Sequence, residues 1–376
     1  MQLYGKNYSV DALRKRMGSL DQVAGIRTFH YDDGRAKGVR GARIYNGSGL
    51  DLTVLPDRCL DIASASFNGQ ALGWRSSAGD VAPQYYEPEG FRWLRNCFGG
   101  LLTTCGLSQV GAPEPGMASA FDGRGLHGRI SNTPAENVQV REGWQGDHYE
   151  MSITGTMREA VLFGENLSLT RTLSTRLGAA QVRLHDVVVN EGFRPAPLMI
   201  LYHCNIGWPL VDEGSEIIAP ARQVAPHTPH AAEGQEAWHR MEAPQPGYEE
   251  KVYHHDMAAA EDGSVTVAMV NNGFERGHGL GVYIRYFQDT LPRFVQWKMM
   301  GEQDYVCGLE PCNCGVEGQK VDEELGLLQV LAPGESREFR LEFGVLTELE
   351  EVNRLRAAVS SISPSFCSSY RDFVRP

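Results

Sequence analysis

The chain has 376 residues, 42% hydrophobic and 22% charged, with 42 Gly and 19 Pro. That composition is turn-rich and globular, and it excludes disorder as the dominant state. Lys and Arg number 35 against 47 Asp and Glu, a formal net charge of −12 without a large basic cluster, so a nucleic-acid backbone would be repelled.

The opening MQLYGKNYSVDALRKRMG lacks the apolar core of a signal peptide, and no stretch reaches the roughly 18 apolar residues of a membrane span. A cytoplasmic chain with no membrane partner is expected. Eight cysteines form no CxxC pair, and Cys307, Cys312 and Cys314 read as small buried thiols rather than metal ligands.

In chain order, Leu13, Met17, Leu20 and Val23 fall at three- and four-residue steps and predict a peripheral helix over 10–23. The period then becomes two: Leu50, Leu52 and Val54; Tyr149, Met151 and Ile153; Val182 and Leu184, then after a break Val187 and Val189; Phe339, Leu341 and Phe343. Asn46-Gly47, Asn68-Gly69 and Asn272-Gly273 mark tight turns between strands. Two stretches are irregular. Residues 98–128 hold enough glycine to let the backbone run close to another segment, and residues 220–246, with His227, His230 and His239, read as a long loop that covers a site. Near the C-terminus, Thr347 and Glu350 match a capping box, with Leu349, Val352, Leu355 and Val359 at helical spacing, so a helix is predicted over 347–361. Strands without alternating helices indicate an all-β antiparallel sandwich, read as a single domain over 1–376. No Gly-rich phosphate loop precedes a helix, which argues against a nucleotide enzyme.

Three ionisable residues sit in apolar or glycine-rich runs: His127 in GRGLHGRIS, His203 in LMILYHCNIGWPL and Glu310 in DYVCGLEPCNCG. Burial moves a carboxyl or imidazole pKa toward neutrality, where a proton can be given and taken back. Each residue alone is equally well read as a satisfied polar group of the core.

Four ordered blocks, GLDLTVLPDRCLDIASASFNGQALGW, GLHGRISNTPAENV, VRLHDVVVNEGFRPAPLMILYHCNIGWP, and FVQWKMMGEQDYVCGLEPCN with LAPGESREFRLEFGV, span most of the chain. With them the sequence resembles the aldose 1-epimerase (galactose mutarotase-like) superfamily, in a divergent branch. The resemblance implies a β-supersandwich of facing antiparallel sheets with short peripheral helices and a sugar cleft on one concave face. It puts the family's two active-site histidines on His127 and His203 and its catalytic glutamate on Glu310. The implied reaction is anomer interconversion by ring opening. Glu310 would take the proton of the anomeric hydroxyl, His203 would protonate the ring oxygen, and His127 would hydrogen-bond nearby oxygens. No cofactor and no metal is required, and the partner is a small sugar; self-association stays open.

The chain departs from the family where many mutarotases carry an arginine, having Cys97 to Cys105 in that place. Arg58, Arg95 and Arg129 are candidate substitutes, and arginines gathered at the cleft would favour an acidic sugar. Trp208 and Trp297 could present an apolar face to a sugar, with Asn205 as a further contact. Two other readings stay open. His127, His203 and Glu310 with Glu317 could hold a divalent ion for chemistry at C2 of a keto-sugar; and the same scaffold could bind a sugar without catalysis. His254-His255-Asp256 also attracts a metal hypothesis, but neighbours on a strand point to opposite faces.

Overall fold

A computed structural model describes residues 1–114, 123–274 and 280–374. Two eight-stranded sheets dominate, with a five-stranded sheet ahead of them in the chain. The first large sheet contains, side by side, Thr103–Leu107, Ala196–Gly207, Tyr305–Cys312, Arg293–Met300, Lys251–Met257 and Ala221–Pro226. The second runs Glu136–Gln145, His148–Ala160, Asn166–Arg176, Gln181–Asn190, Ser336–Leu346, Leu280–Phe287, Ser264–Asn271 and Glu216–Ile218. All the pairings among these strands are antiparallel.

The large sheets pack face to face. The Tyr202 ring of the first lies 6.3 Å from Phe339 of the second, and Phe294 stacks on Tyr286 at 6.0 Å. One contiguous buried apolar cluster, with members from Ala42 to Val345, fills the space between and extends under the five-stranded sheet.

In the second sheet one face meets solvent and the alternation is clean. Along Ser336–Leu346, Phe339, Leu341 and Phe343 are buried while Glu338 and Arg340 pair outside. In the central strands of the first sheet the alternation is lost, because both faces are covered. Ala196–Gly207 is buried at ten of its positions and Tyr305–Cys312 at all eight. One face of these strands meets the second sheet; the other carries the pocket described below.

Several expected elements change in the structure. The break expected after Leu184 is absent: the alternation continues through Asp186 and Val188, both buried. Asp186 takes a core position because Arg171 and the Tyr202 hydroxyl both donate to it. The helix expected over 10–23 closes at Val10–Arg14, capped by Ser9, and resumes as a 3-10 turn at Leu20–Gln22. Gly18 disfavours a continuous helix, yet the same apolar residues still pack onto Met151 and Leu177. The C-terminal helix spans Leu349–Val359, and its capping box is Glu348 with Glu351, one residue later than predicted. Residues 220–246 are not one irregular cover. Ala221–Pro226 is a strand, followed by short helices at Pro229–Ala232 and Gln235–Ala237. Pro220 and Pro226 fit there because the strand lies near the sheet edge, where its outer neighbour is only Ser365–Phe366. Part of the glycine-rich stretch, 115–122, lies outside the described residues, as does the 275–279 segment after the Asn272-Gly273 turn. No described helix is long and apolar enough to cross a membrane.

Candidate functional site

Strand pairing fixes which side chains leave the covered face of the first sheet. Glu310 pairs with Val295, which pairs with His254; one step of two along the strands, Asn205, Gly308, Trp297 and Val252 stand opposite one another. Directly opposed residues share a face, as do residues two apart. His203, Asn205, Glu310 and Trp297 therefore project together, while Tyr202, Cys204 and Leu309 project into the apolar core.

These side chains line a cavity of about 650 Å³ that also takes in Trp74, Trp93, His127, His227, Glu250 and Asp304. At its base His203 Nε2 lies 3.1 Å from Glu310 Oε1. The two atoms are close without being aligned as a hydrogen bond, and Glu310 Oε1 and His203 Nδ1 have no other partner. Burial holds the Glu310 carboxyl well above its usual range, reinforced by the charge of Glu250, and lowers His203 to about 4. Both effects favour the uncharged form of the pair: a protonated carboxyl beside a neutral imidazole. Gly308 makes room for this. A Cβ there would overlap Glu310 Oε1 and come 3.0 Å from Trp297 Cβ.

His127 arrives from a different element. Its ring centroid is 5.8 Å from that of His203 and 5.0 Å from Trp93. Its backbone is left-handed, φ 57°, and is held there by hydrogen bonds from His127 N to Gly111 O and from Gly106 N to His127 O. The next residue, Gly128, has φ 72° and lies so close to Gly106 O that a Cβ would collide; this close approach is what the glycines of the segment permit. His127 Nδ1 accepts from Gly111 N at 3.3 Å. That bond places the ring proton on Nε2, where it is free to donate. Burial, with His203 adding, lowers His127 to about 3.

Trp297 donates from Nε1 to Glu250 at 2.6 Å and stands edge-on to His203 at 5.5 Å and to Trp74 at 6.2 Å. Asn205 Nδ2 donates to the His203 carbonyl. The other contacts expected for a substrate are elsewhere. Arg58 is fully buried beneath the site, its guanidinium shared among the carbonyls of Ser131, Val81 and Asn96 at 2.7–2.8 Å. Arg95 is exposed and paired with Glu87. Arg129 is exposed and lines a separate depression of about 450 Å³ with Arg124 and Arg194. Trp208 is 65% exposed outside the cavity. The three candidate arginines thus lie apart: Arg58 serves buried carbonyls, Arg95 a surface carboxylate, and Arg129 lines a separate depression.

His254 and His255 leave their strand on opposite faces, His254 against His227 (Nδ1 to Nε2, 3.1 Å) and His255 against Gln296. Among the described residues no three His, Cys, Asp or Glu side chains converge as metal ligands do, Glu317 included. Cys307, Cys312 and Cys314 are buried and unpaired.

Sequence reasoning passed over Trp74, Trp93, Glu250 and Asp304, which have no periodic or motif signal, and named His227 only as part of a loop. It also missed the polar network behind His203. Arg171 bridges Asp61 and Asp186, all three wholly buried, with Thr104 donating to Asp61 and Tyr202 to Asp186. Thr104 is the strand partner of Tyr202, so the network sits directly behind the strand that carries His203.

Large antiparallel sheets packed face to face in this order have the galactose mutarotase-like fold, as the comparisons show. The chain is similar to a Klebsiella pneumoniae protein provisionally described as an aldose 1-epimerase, at 25% identity, 92% coverage of this chain, 90% of that one and a TM-score of 0.85. It is also similar to a galactose mutarotase-like protein from Clostridium acetobutylicum (11% identity, 87% and 99% coverage, TM-score 0.56) and to the galactose 1-epimerase of Lactobacillus acidophilus (13%, 86% and 99%, 0.52). No curated protein matches. Residues 36–345 match the family described as Domain of unknown function (DUF4432), and the chain belongs to that family.

Proposed function

We propose that this protein is a carbohydrate epimerase that interconverts the anomers of a reducing sugar by opening and reclosing its ring. The observation that carries the reading is the buried contact of 3.1 Å between Glu310 and His203, with His127 beside it at the base of a cavity. The description of the Klebsiella relative as an aldose 1-epimerase supports it.

Ring opening needs one group to remove the anomeric hydroxyl proton and another to protonate the ring oxygen. Before a sugar binds, the uncharged pair carries its acidic proton on Glu310. Once a bound sugar brings the 3.1 Å contact into line, transfer of that proton to His203 leaves a carboxylate base and an imidazolium acid. Glu310 then takes the hydroxyl proton. The O–H electrons form the C1 carbonyl, the bond from C1 to the ring oxygen breaks, and that oxygen receives the proton of His203. Rotation about C1–C2 lets the ring oxygen attack the other face of the carbonyl: Glu310 gives its proton to the carbonyl oxygen, His203 takes the proton of the ring-oxygen hydroxyl, and both groups are restored with the second anomer. His127 Nε2–H stabilises oxygen atoms whose charge grows during opening. Trp297 offers an indole face to the C–H surface of the ring, and its Nε1 is already held by Glu250.

The test is proton NMR of freshly dissolved aldoses in D₂O. Faster α/β equilibration with no deuterium entering a C–H bond is expected, and Glu310→Gln should slow it by ~10²–10⁴-fold while sugar still binds. Unchanged turnover in that variant, or deuterium appearing at C2, would overturn the mechanism.

A further inference from the structure

We infer that the pocket takes an uncharged reducing sugar longer than one ring, with the reacting ring against His203 and Glu310 and a second ring against Phe91 and Leu94. This rests on the epimerase reading for which end reacts, and adds to it the class of substrate.

The 3-10 helix Gly90–Asn96 forms part of the cavity wall. Trp93 turns inward, 3% exposed, to meet His127, whereas Phe91 and Leu94 line the same cavity and remain 63% and 55% exposed. Other large apolar side chains of this chain are exposed too, Phe163, Phe193 and Trp208 among them, but Phe91 and Leu94 are exposed where they line one cavity with His203 and Glu310, where a ligand would cover them. The volume agrees. About 650 Å³ lies well inside the range of ~300–1,000 Å³ that encloses a drug-sized ligand, and a single pyranose of a dozen heavy atoms does not fill it. A second ring would lay its C–H face on Phe91 and keep its hydroxyls in water at the mouth.

The charge of the added part is fixed by what the wall lacks. Among the described residues lining the cavity there is no Lys or Arg, while Glu250, Asp304 and Glu310 are carboxyls. A phosphate, sulfonate or carboxylate entering the cavity would lose water without gaining a cation. The three arginines that would have offered one are buried beneath the site or outside the cavity.

The experiment uses the full chain with four probes: lactose, galactose, galacturonate and glucose 6-phosphate. Mutarotation is followed by NMR, and occupancy separately by the fluorescence of the cavity tryptophans. The expected result is a kcat/KM for lactose at least ten times that for galactose, with neither anion accelerated. The exposed double variant Phe91→Ser/Leu94→Ser should lower the lactose value about tenfold more than the galactose value, the loss lying in KM, the scale that apolar contacts of this size give. Galactose handled as well as lactose, a double variant that affects both alike, or an anion turned over as fast overturns the inference. Tighter binding of lactose than galactose without turnover of any sugar overturns the epimerase reading and leaves this one standing.

Discussion

Replacing Gly308 by alanine separates the chemistry of the site from its stability. Gly308 lies on a regular strand between Asn205 and Trp297, so an alanine backbone is accommodated there. What the methyl group meets is Glu310 Oε1, the far end of a flexible side chain, and, at 3.0 Å, Trp297 Cβ. The carboxyl must rotate out of its well, at about 0.5–1.5 kcal/mol. Removing glycine from a strand interior returns roughly 0.5–1 kcal/mol. Stability should therefore change by less than about 1 kcal/mol. The site is less forgiving, because the displaced oxygen can no longer hold its 3.1 Å position against His203, and a misplacement of about 1 Å costs roughly 10²-fold in rate. Polarimetric mutarotation and thermal unfolding on the same preparation check both numbers. A variant that retains its kcat within a few-fold, or one that loses activity only by unfolding, would refute the claim that this glycine exists to position Glu310.

The other expectations concern pH, the buried network and the histidine loop. With His203 lowered to about 4 and Glu310 raised, kcat/KM should hold level between the two. It should fall below about pH 4, where a second proton removes the base, and again above the raised Glu310 pKa, where the last proton leaves. Stability has a related dependence. His127 at about 3, His203 at about 4 and His255 at about 3 are neutral when folded but bind protons below about 6.5 when unfolded. Their contribution is complete above that value and is lost as pH falls toward 4, each by up to ~1.4 kcal/mol per pH unit; Glu310, Asp61 and Asp322, with the opposite shift, lose theirs as pH rises, so replacing one of the three histidines by a neutral side chain should flatten the rise of denaturant midpoints between about pH 4 and 6.5. Arg171→Met strands Asp61 and Asp186 without their cation and should cost about 3–5 kcal/mol, measured by urea unfolding, with rescue when both aspartates become asparagine. Gly128→Ala puts a side chain on a residue at φ 72° and against Gly106 O. It should lower stability by at least ~1–2 kcal/mol and slow turnover by moving His127, whereas alanine at the Gly263 turn, which has open space and a similar φ, should affect stability alone.

The sandwich was legible in the sequence because its second sheet has one wet face, and alternation along 336–346 or 149–153 records which side that is. Even the apparent break after Leu184 was information of this kind, since an aspartate held by Arg171 replaces an apolar residue in the same alternation. His127, His203 and Glu310 were legible as ionisable groups in apolar runs, and ordered blocks rather than spacing gave them roles. The helix limits were not, because a glycine at 18 and a shift of one residue in the cap at 348 turn on local hydrogen bonds. Beyond His127, His203, Glu310, Trp297 and Asn205, the cavity wall was not legible. Trp74, Trp93 and Glu250 come from a short strand, a 3-10 turn and a loop with no period to read. The fate of each arginine depended on carbonyls and carboxylates distant in sequence, Ser131 for Arg58 and Asp186 for Arg171. Composition and periodicity determine which faces are dry; only the pairing of strands across hundreds of residues decides which polar groups meet on them.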